Sequence, residues 1–167
     1  IAKFLDIGFP GGPAIDRLSD QGNRTAFALP RPLVRSRSFD FSFSGLKTSV
    51  VNMFKGKEKK SIPLPDIAAS FQEAVIDVLV AKTVQAAERK ETSIISVTGG
   101  VSSNRRLREA FQGACAERGL QVFFPLPDLR TDNAAMVAAA GAARLGYGEV
   151  AGLDLNAVPS APLESAG

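Results

Sequence analysis

Ser96-Val97-Thr98-Gly99-Gly100-Val101-Ser102-Ser103-Asn104-Arg105 is the stretch around which the rest of the chain is organised. Ile94, Ile95 and Val97 form a short β-branched run that predicts the end of a buried strand. Gly99 and Gly100 turn the chain, and Ser102, Ser103 and Asn104 are candidate N-caps for an amphipathic helix over 105–118. Strand, glycine pair and helix in that order let a ligand approach bare backbone. Free N–H groups and a helix N-terminus nearby favour an anion or a nucleotide. Taken alone, the glycines are explained as well by a turn that requires positive φ.

Downstream, Gln121 to Phe124 predicts a second short strand closed by Pro125 and Pro127. Thr131-Asp132-Asn133 then leads into a run of small residues, Ala134 to Ala143, suited to a closely packed helix. Thr131 or Asp132 is a natural N-cap there, and local sequence favours a cap over a metal ligand for Asp132. Upstream, Ile67, Phe71, Val75, Val78, Leu79 and Lys82 recur at helical spacing and predict a scaffold helix from Asp66 to about Arg89. Phe39, Phe41 and Phe43 alternate with Asp40, Ser42 and Ser44, which predicts a strand with one core face and one polar row before Gly45. That row is either a site wall or plain solvent exposure.

The chain opens on Ile1 to Ile7, the back half of an amphipathic helix with Ile1, Phe4 and Leu5 on one face, and it is read as a fragment. Gly8 to Pro13 breaks the helix, and a new one is expected from Ala14 to Gln21. Asp16 in its first turns would complement the helix dipole. Residues 55–61 read as a mobile charged loop and 156–167 as a flexible tail.

Composition narrows the chemistry. The 167 residues hold 45% hydrophobic and 22% charged side chains, ordinary for one globular domain or lobe. No apolar run reaches membrane-spanning length and no signal peptide opens the chain, so a cytoplasmic protein without membrane contact is expected. The single cysteine, Cys115, reads as a small core residue. Histidine is absent, which removes a histidine base, a Ser-His-Asp triad and any imidazole ligand to zinc from within the chain. Net charge is +3, and nine basic side chains fall between Arg24 and Lys60 against Asp40 and Glu58. They form either a phosphate-backbone surface for nucleic acid, testable by charge reversal at Arg35 and Arg37, or a solvated face.

Four segments carry a family resemblance in one order: Phe9-Pro10-Gly11-Gly12-Pro13 with Asp16; Asp40-Phe41-Ser42-Phe43-Ser44-Gly45-Leu46-Lys47; Gly99-Gly100-Val101-Ser102-Ser103-Asn104-Arg105; and Thr131-Asp132-Asn133-Ala134-Ala135-Met136. Together they resemble the TsaD (Gcp, YgjD) family of tRNA threonylcarbamoyladenosine transferases, from Ile1 to about Leu163. The resemblance implies an α/β fold, the second lobe of a two-lobed actin/Hsp70/sugar-kinase-like (ASKHA) protein, with a short sheet flanked by long helices. It divides the chain into an inter-lobe helix and Gly-Gly turn at 1–22, the C-terminal lobe at 23–155 and the tail at 156–167, with the N-terminal lobe absent.

The implied reaction moves a threonylcarbamoyl group from threonylcarbamoyl-AMP, an ATP-derived nucleotide, to N6 of the adenosine beside the anticodon in tRNAs reading ANN codons. By resemblance Gly12, Asp16 and Asn104 contact the nucleotide or acyl-adenylate, Asp16 through ribose hydroxyls. Asp132 resembles the carboxylate ligand of one metal ion, iron or zinc, whose histidine ligands belong to the other lobe. That metal would polarise the carbamoyl donor as a Lewis acid. No residue of the chain is assigned as catalytic, and a metalloprotease motif is excluded with histidine. The implied partners are tRNA and the bacterial-type subunits TsaB and TsaE. The chain alone is expected to be inactive in transfer, since one carboxylate does not hold a catalytic metal. Two other readings stand beside this one: a noncatalytic nucleotide-crevice or subunit-binding module, and a lobe of another ASKHA ATPase or kinase.

Overall fold

Two prolines set where the longest helix begins. In the computed structural model, which describes residues 1–56 and 62–157, Pro63 precedes α4 (Leu64–Arg89) and Pro65 lies in its first turn. A missing N–H there forfeits no intrahelical bond, and Asp66 adds a carboxylate where the helix dipole favours one. The expected scaffold helix is thus present, starting two residues earlier.

Two cores share α4. Its first half packs Ile67 and Ala74 with Leu5 of α1 (Ala2–Leu5), with Leu46 and Val50 of α3 (Ser44–Met53), and with Leu29 and Phe54. Its second half packs Ile76, Val80 and Val84 with Ile95 of β1 (Ile94–Ser96) and with Leu107, Phe111 and Cys115 of α5 (Arg105–Ala116). Each fully buried aliphatic side chain contributes about 1.5–3 kcal/mol, so α4 is the axis that holds both halves together. Cys115 is a core residue as expected; burial raises its thiol pKa, against the opposing charge of Arg118, and keeps it neutral.

β1 pairs in parallel with β2 (Gln121–Phe123), Ile95 opposite Val122, with α5 as the crossover that a parallel pair requires. Ile95 is buried, whereas Ile94 and Phe123 are 54% and 53% exposed, so the strand predicted as buried has one covered face only. The architecture is α/β, mostly helical, with this short two-stranded sheet.

Three expectations are corrected. Residues 39–43 form no strand: nothing among the described residues pairs with them, and Phe39 and Phe41 are exposed. The three rings do not share a core face: Phe41 stacks on Phe43, Phe43 reaches the first core, and Phe39 lies under the Arg89 guanidinium. The second helix, α2, spans Gly11–Ser19 rather than starting at Ala14, so Asp16 falls beyond its first turn and the dipole role lapses. The cap of α6 (Ala134–Gly146) is Asn133, whose Oδ1 accepts from the Met136 N–H at 3.0 Å; neither Thr131 nor Asp132 serves.

The chain divides into two compact units, Ile1–Thr131 and Asp132 onward. In the second unit α6 has no buried residue, so its small-residue surface is not closely packed within that unit. Most of the predicted charged loop, residues 57–61, and most of the predicted tail, residues 158–167, lie outside the described residues. No described helix is long and apolar enough to cross a membrane.

Candidate nucleotide-recognition wall

The loop after β1 does more than turn. Gly99 takes φ +81°, a conformation open to glycine, and residues Gly100–Ser103 add a single 3₁₀ turn before α5 begins. That extra turn delivers Asn104 to the N-cap, where its Oδ1 accepts from the Leu107 N–H at 2.8 Å. Of the three predicted cap candidates, Asn104 is the one used.

Capping fixes which way the carboxamide faces, and its nitrogen points to two other helices. Nδ2 donates to Asp16 Oδ1 at 2.9 Å and to Gln72 Oε1 at 2.7 Å. Asp16 lies on α2 and Gln72 on α4, so one side chain joins three helices. A carboxamide has two N–H donors, and both are taken. The next two residues extend the clasp. Arg105 pairs with Asp20 at the end of α2, and Arg106 reaches both carboxylate oxygens of Glu73 at 2.9 and 2.5 Å. The bond to Glu73 raises the Arg106 pKa despite partial burial.

Gly12, Asp16 and Asp20 lie four residues apart and therefore share one face of α2. A Cβ built on Gly12 meets nothing within 4 Å, so the backbone there is open to approach. Gly12 also lines a groove with Phe9, Phe71 and Lys47, which brings the Phe9–Pro13 and Ser44–Lys47 motifs to one place. Asp16 and Asn104, 88 residues apart in sequence, are in direct contact. Four participants were not singled out from the sequence, Gln72, Asp20, Glu73 and Arg106, whereas Lys47 was read as part of its motif and of the basic segment. Helical spacing from Asp16 would have found Asp20; no local signal marks Gln72, which is one of several polar residues along α4, with Ser70 and Glu73 beside it.

Asp132 is exposed in the second unit. Among the described residues no group of three or more histidine, cysteine, aspartate or glutamate side chains could hold a metal ion, so those residues do not by themselves fit a complete metal site.

The basic segment divides by partner. Arg31 pairs with Asp77 at 2.8 Å and Arg24 approaches Glu73 at 4.0 Å. Lys57, Lys59 and Lys60 lie outside the described residues. Lys82, expected as part of an apolar stripe, is 1% exposed and donates to Ser36 Oγ at 2.8 Å and Ser38 O at 2.6 Å. Arg89 donates to the Arg37 carbonyl. Residues 31–38 are thereby strapped along α4, leaving Arg35 and Arg37 exposed.

The scaffold is that of an α/β protein on which a capping asparagine holds a carboxylate of α2, one turn from an open glycine. Comparison with known proteins names the family: the model for TsaD, tRNA N6-adenosine threonylcarbamoyltransferase, matches residues 1–139. The chain belongs to this family. It is similar to tRNA N6-adenosine threonylcarbamoyltransferases from Syntrophotalea carbinolica (47% identity, 100% of this chain and 49% of the relative) and Aromatoleum aromaticum (44%, 90% and 44%). A third, from Clostridioides difficile, is 44% identical over 96% of this chain and 48% of its own length. The chain thus spans about half the length of these curated relatives.

Proposed function

We propose that this chain is one lobe of a two-lobed ASKHA-type enzyme that transfers a threonylcarbamoyl group from threonylcarbamoyl-AMP to N6 of the adenosine beside the tRNA anticodon. The observation that carries it is the Asn104–Asp16 contact beside the open Gly12 backbone, which assembles one wall suited to an adenylate. Asp16 accepts from Asn104 through Oδ1, and its other oxygen is the acceptor for a ribose hydroxyl. Gly12 admits the ligand close to the N-terminal turn of α2, whose N–H groups favour a phosphate. The role of these residues is to bind and orient the donor so that the amine meets its carbonyl carbon.

In this proposal the second wall, a divalent metal (iron or zinc) and most of its ligands come from outside the chain, and Asp132 adds one carboxylate. The metal would supply polarisation of the donor carbonyl. TsaB and TsaE are the proposed protein partners.

Gly12→Ala tests the wall. The measurement is made on a full-length protein, this chain completed by the half of the Syntrophotalea carbinolica relative that it does not match. Stability is expected to stay within about 0.5 kcal/mol, because the added methyl meets no atom and alanine suits a helix. Affinity for AMP by calorimetry is expected to fall at least about tenfold, or ~1.4 kcal/mol. Unchanged affinity would remove Gly12 from the site.

The strapped Arg35 and Arg37 are the proposed tRNA contact of this lobe. Reversing both to glutamate in the same protein is expected to weaken tRNA binding at low salt and to lower the salt slope by about 2. If affinity and slope both hold, this surface is a solvated face.

A further inference from the structure

We infer that Gln72 is a positioning residue for Asp16, acting through the Asn104 carboxamide; the inference rests on Asp16 being the ribose contact proposed above. In this arrangement the two N–H groups of Asn104 are given to Asp16 and Gln72 and its oxygen caps α5. That arrangement holds a carboxylate still. Its plane is set at three points: the cap fixes the oxygen, Gln72 takes one hydrogen, and the other is left aimed at Asp16 Oδ1.

Gln72 is suited to this by burial and by chemistry. It is 9% exposed, on the rigid α4 between Phe71 and Glu73, so its amide has little freedom to wander. Its oxygen is a neutral acceptor, whereas a carboxylate there would set a second negative charge on the nitrogen that Asp16 already uses. Without that acceptor the cap alone would hold Asn104, and the carboxamide could pivot about it. Asp16 would then lose its fixed direction although no ligand contact had been removed. Glu73 does not substitute, since it is occupied by Arg106 from the next turn of the clasp.

The readout is the ratio of affinities for AMP and 2′,3′-dideoxy-AMP, measured on the full-length protein described above. The ratio isolates the ribose hydroxyls, so damage to folding lowers both affinities and leaves it unmoved. Asp16→Ala is expected to bring the ratio close to one. Gln72→Met, nearly isosteric and without an acceptor, is expected to lower it at least fivefold while the affinity for the dideoxy nucleotide stays within twofold. Asn104→Ser keeps a capping hydroxyl but gives up both amide donors, and it is expected to lower the ratio as much as Gln72→Met does. In the Asn104→Ser background, Gln72→Met is expected to have no further effect. If Asp16→Ala collapses the ratio and Gln72→Met leaves it intact, Gln72 is structural only and this inference falls alone. If Asp16→Ala leaves the ratio unchanged, the ribose role of Asp16 falls and this inference with it.

Discussion

Asp132→Ala in the full-length protein is expected to cut threonylcarbamoyl transfer by at least about 100-fold while folding stability changes by less than about 0.5 kcal/mol. The two effects separate because the structure removes the competing role. Asp132 is exposed, and the helix behind it is capped by Asn133. Losing Asp132 therefore forfeits no capping bond. Asn133→Ala is the contrasting variant, expected to lose about 0.5–2 kcal/mol of helix stability. Transfer rate, thermal denaturation and metal content by elemental analysis form the measurement. Equal losses of activity and stability on Asp132→Ala would assign it a structural role and leave the metal without this ligand.

The largest stability effect falls on a glycine that no motif contains. A Cβ on Gly22 would lie 2.0 Å from the Pro65 carbonyl oxygen and 2.3 Å from its carbon, both backbone atoms in the first turn of α4. Neither can swing aside as a flexible side chain would. The residues that follow are stitched to the same turns: the Asn23 N–H donates to Asp66 Oδ1 at 2.7 Å, and Ser70 Oγ donates to the Asn23 carbonyl at 3.2 Å. Gly22→Ala must push this segment off α4 and break both contacts. The expected loss is about 3 kcal/mol or more, the upper end for overpacking, and a fall in Tm of roughly 6–12 °C. A loss below about 1 kcal/mol would show that the segment relaxes without cost.

Much of the first unit was legible because its signals are local. Period 3.6 in α4 and the amphipathic α5 each depend on neighbours within a few turns, and each element is found close to where it was read. The Phe39–Phe43 alternation failed for the opposite reason. Alternation describes a strand only when a second strand supplies the ladder, and the described residues contain none for this segment. The α6 cap was misplaced by one residue because Thr131, Asp132 and Asn133 are all capping types in a row. Which one caps depends on where helical dihedrals begin.

Sequence alone carried the family, through four motifs in order, and put Gly12, Asp16, Asn104 and Asp132 in the candidate set. It also excluded histidine chemistry from the chain, since composition needs no fold. The partners of Asn104 emerge from packing. Its spacing from Leu107 marks a cap, but its donors go to Asp16, 88 residues away, and Gln72, 32 residues away. Such pairings arise from how α2, α4 and α5 pack around shared cores, and side-chain geometry between helices has no period in the chain. The same holds for Gly22 and Lys82, whose roles are contacts with distant backbone rather than properties of their own segments.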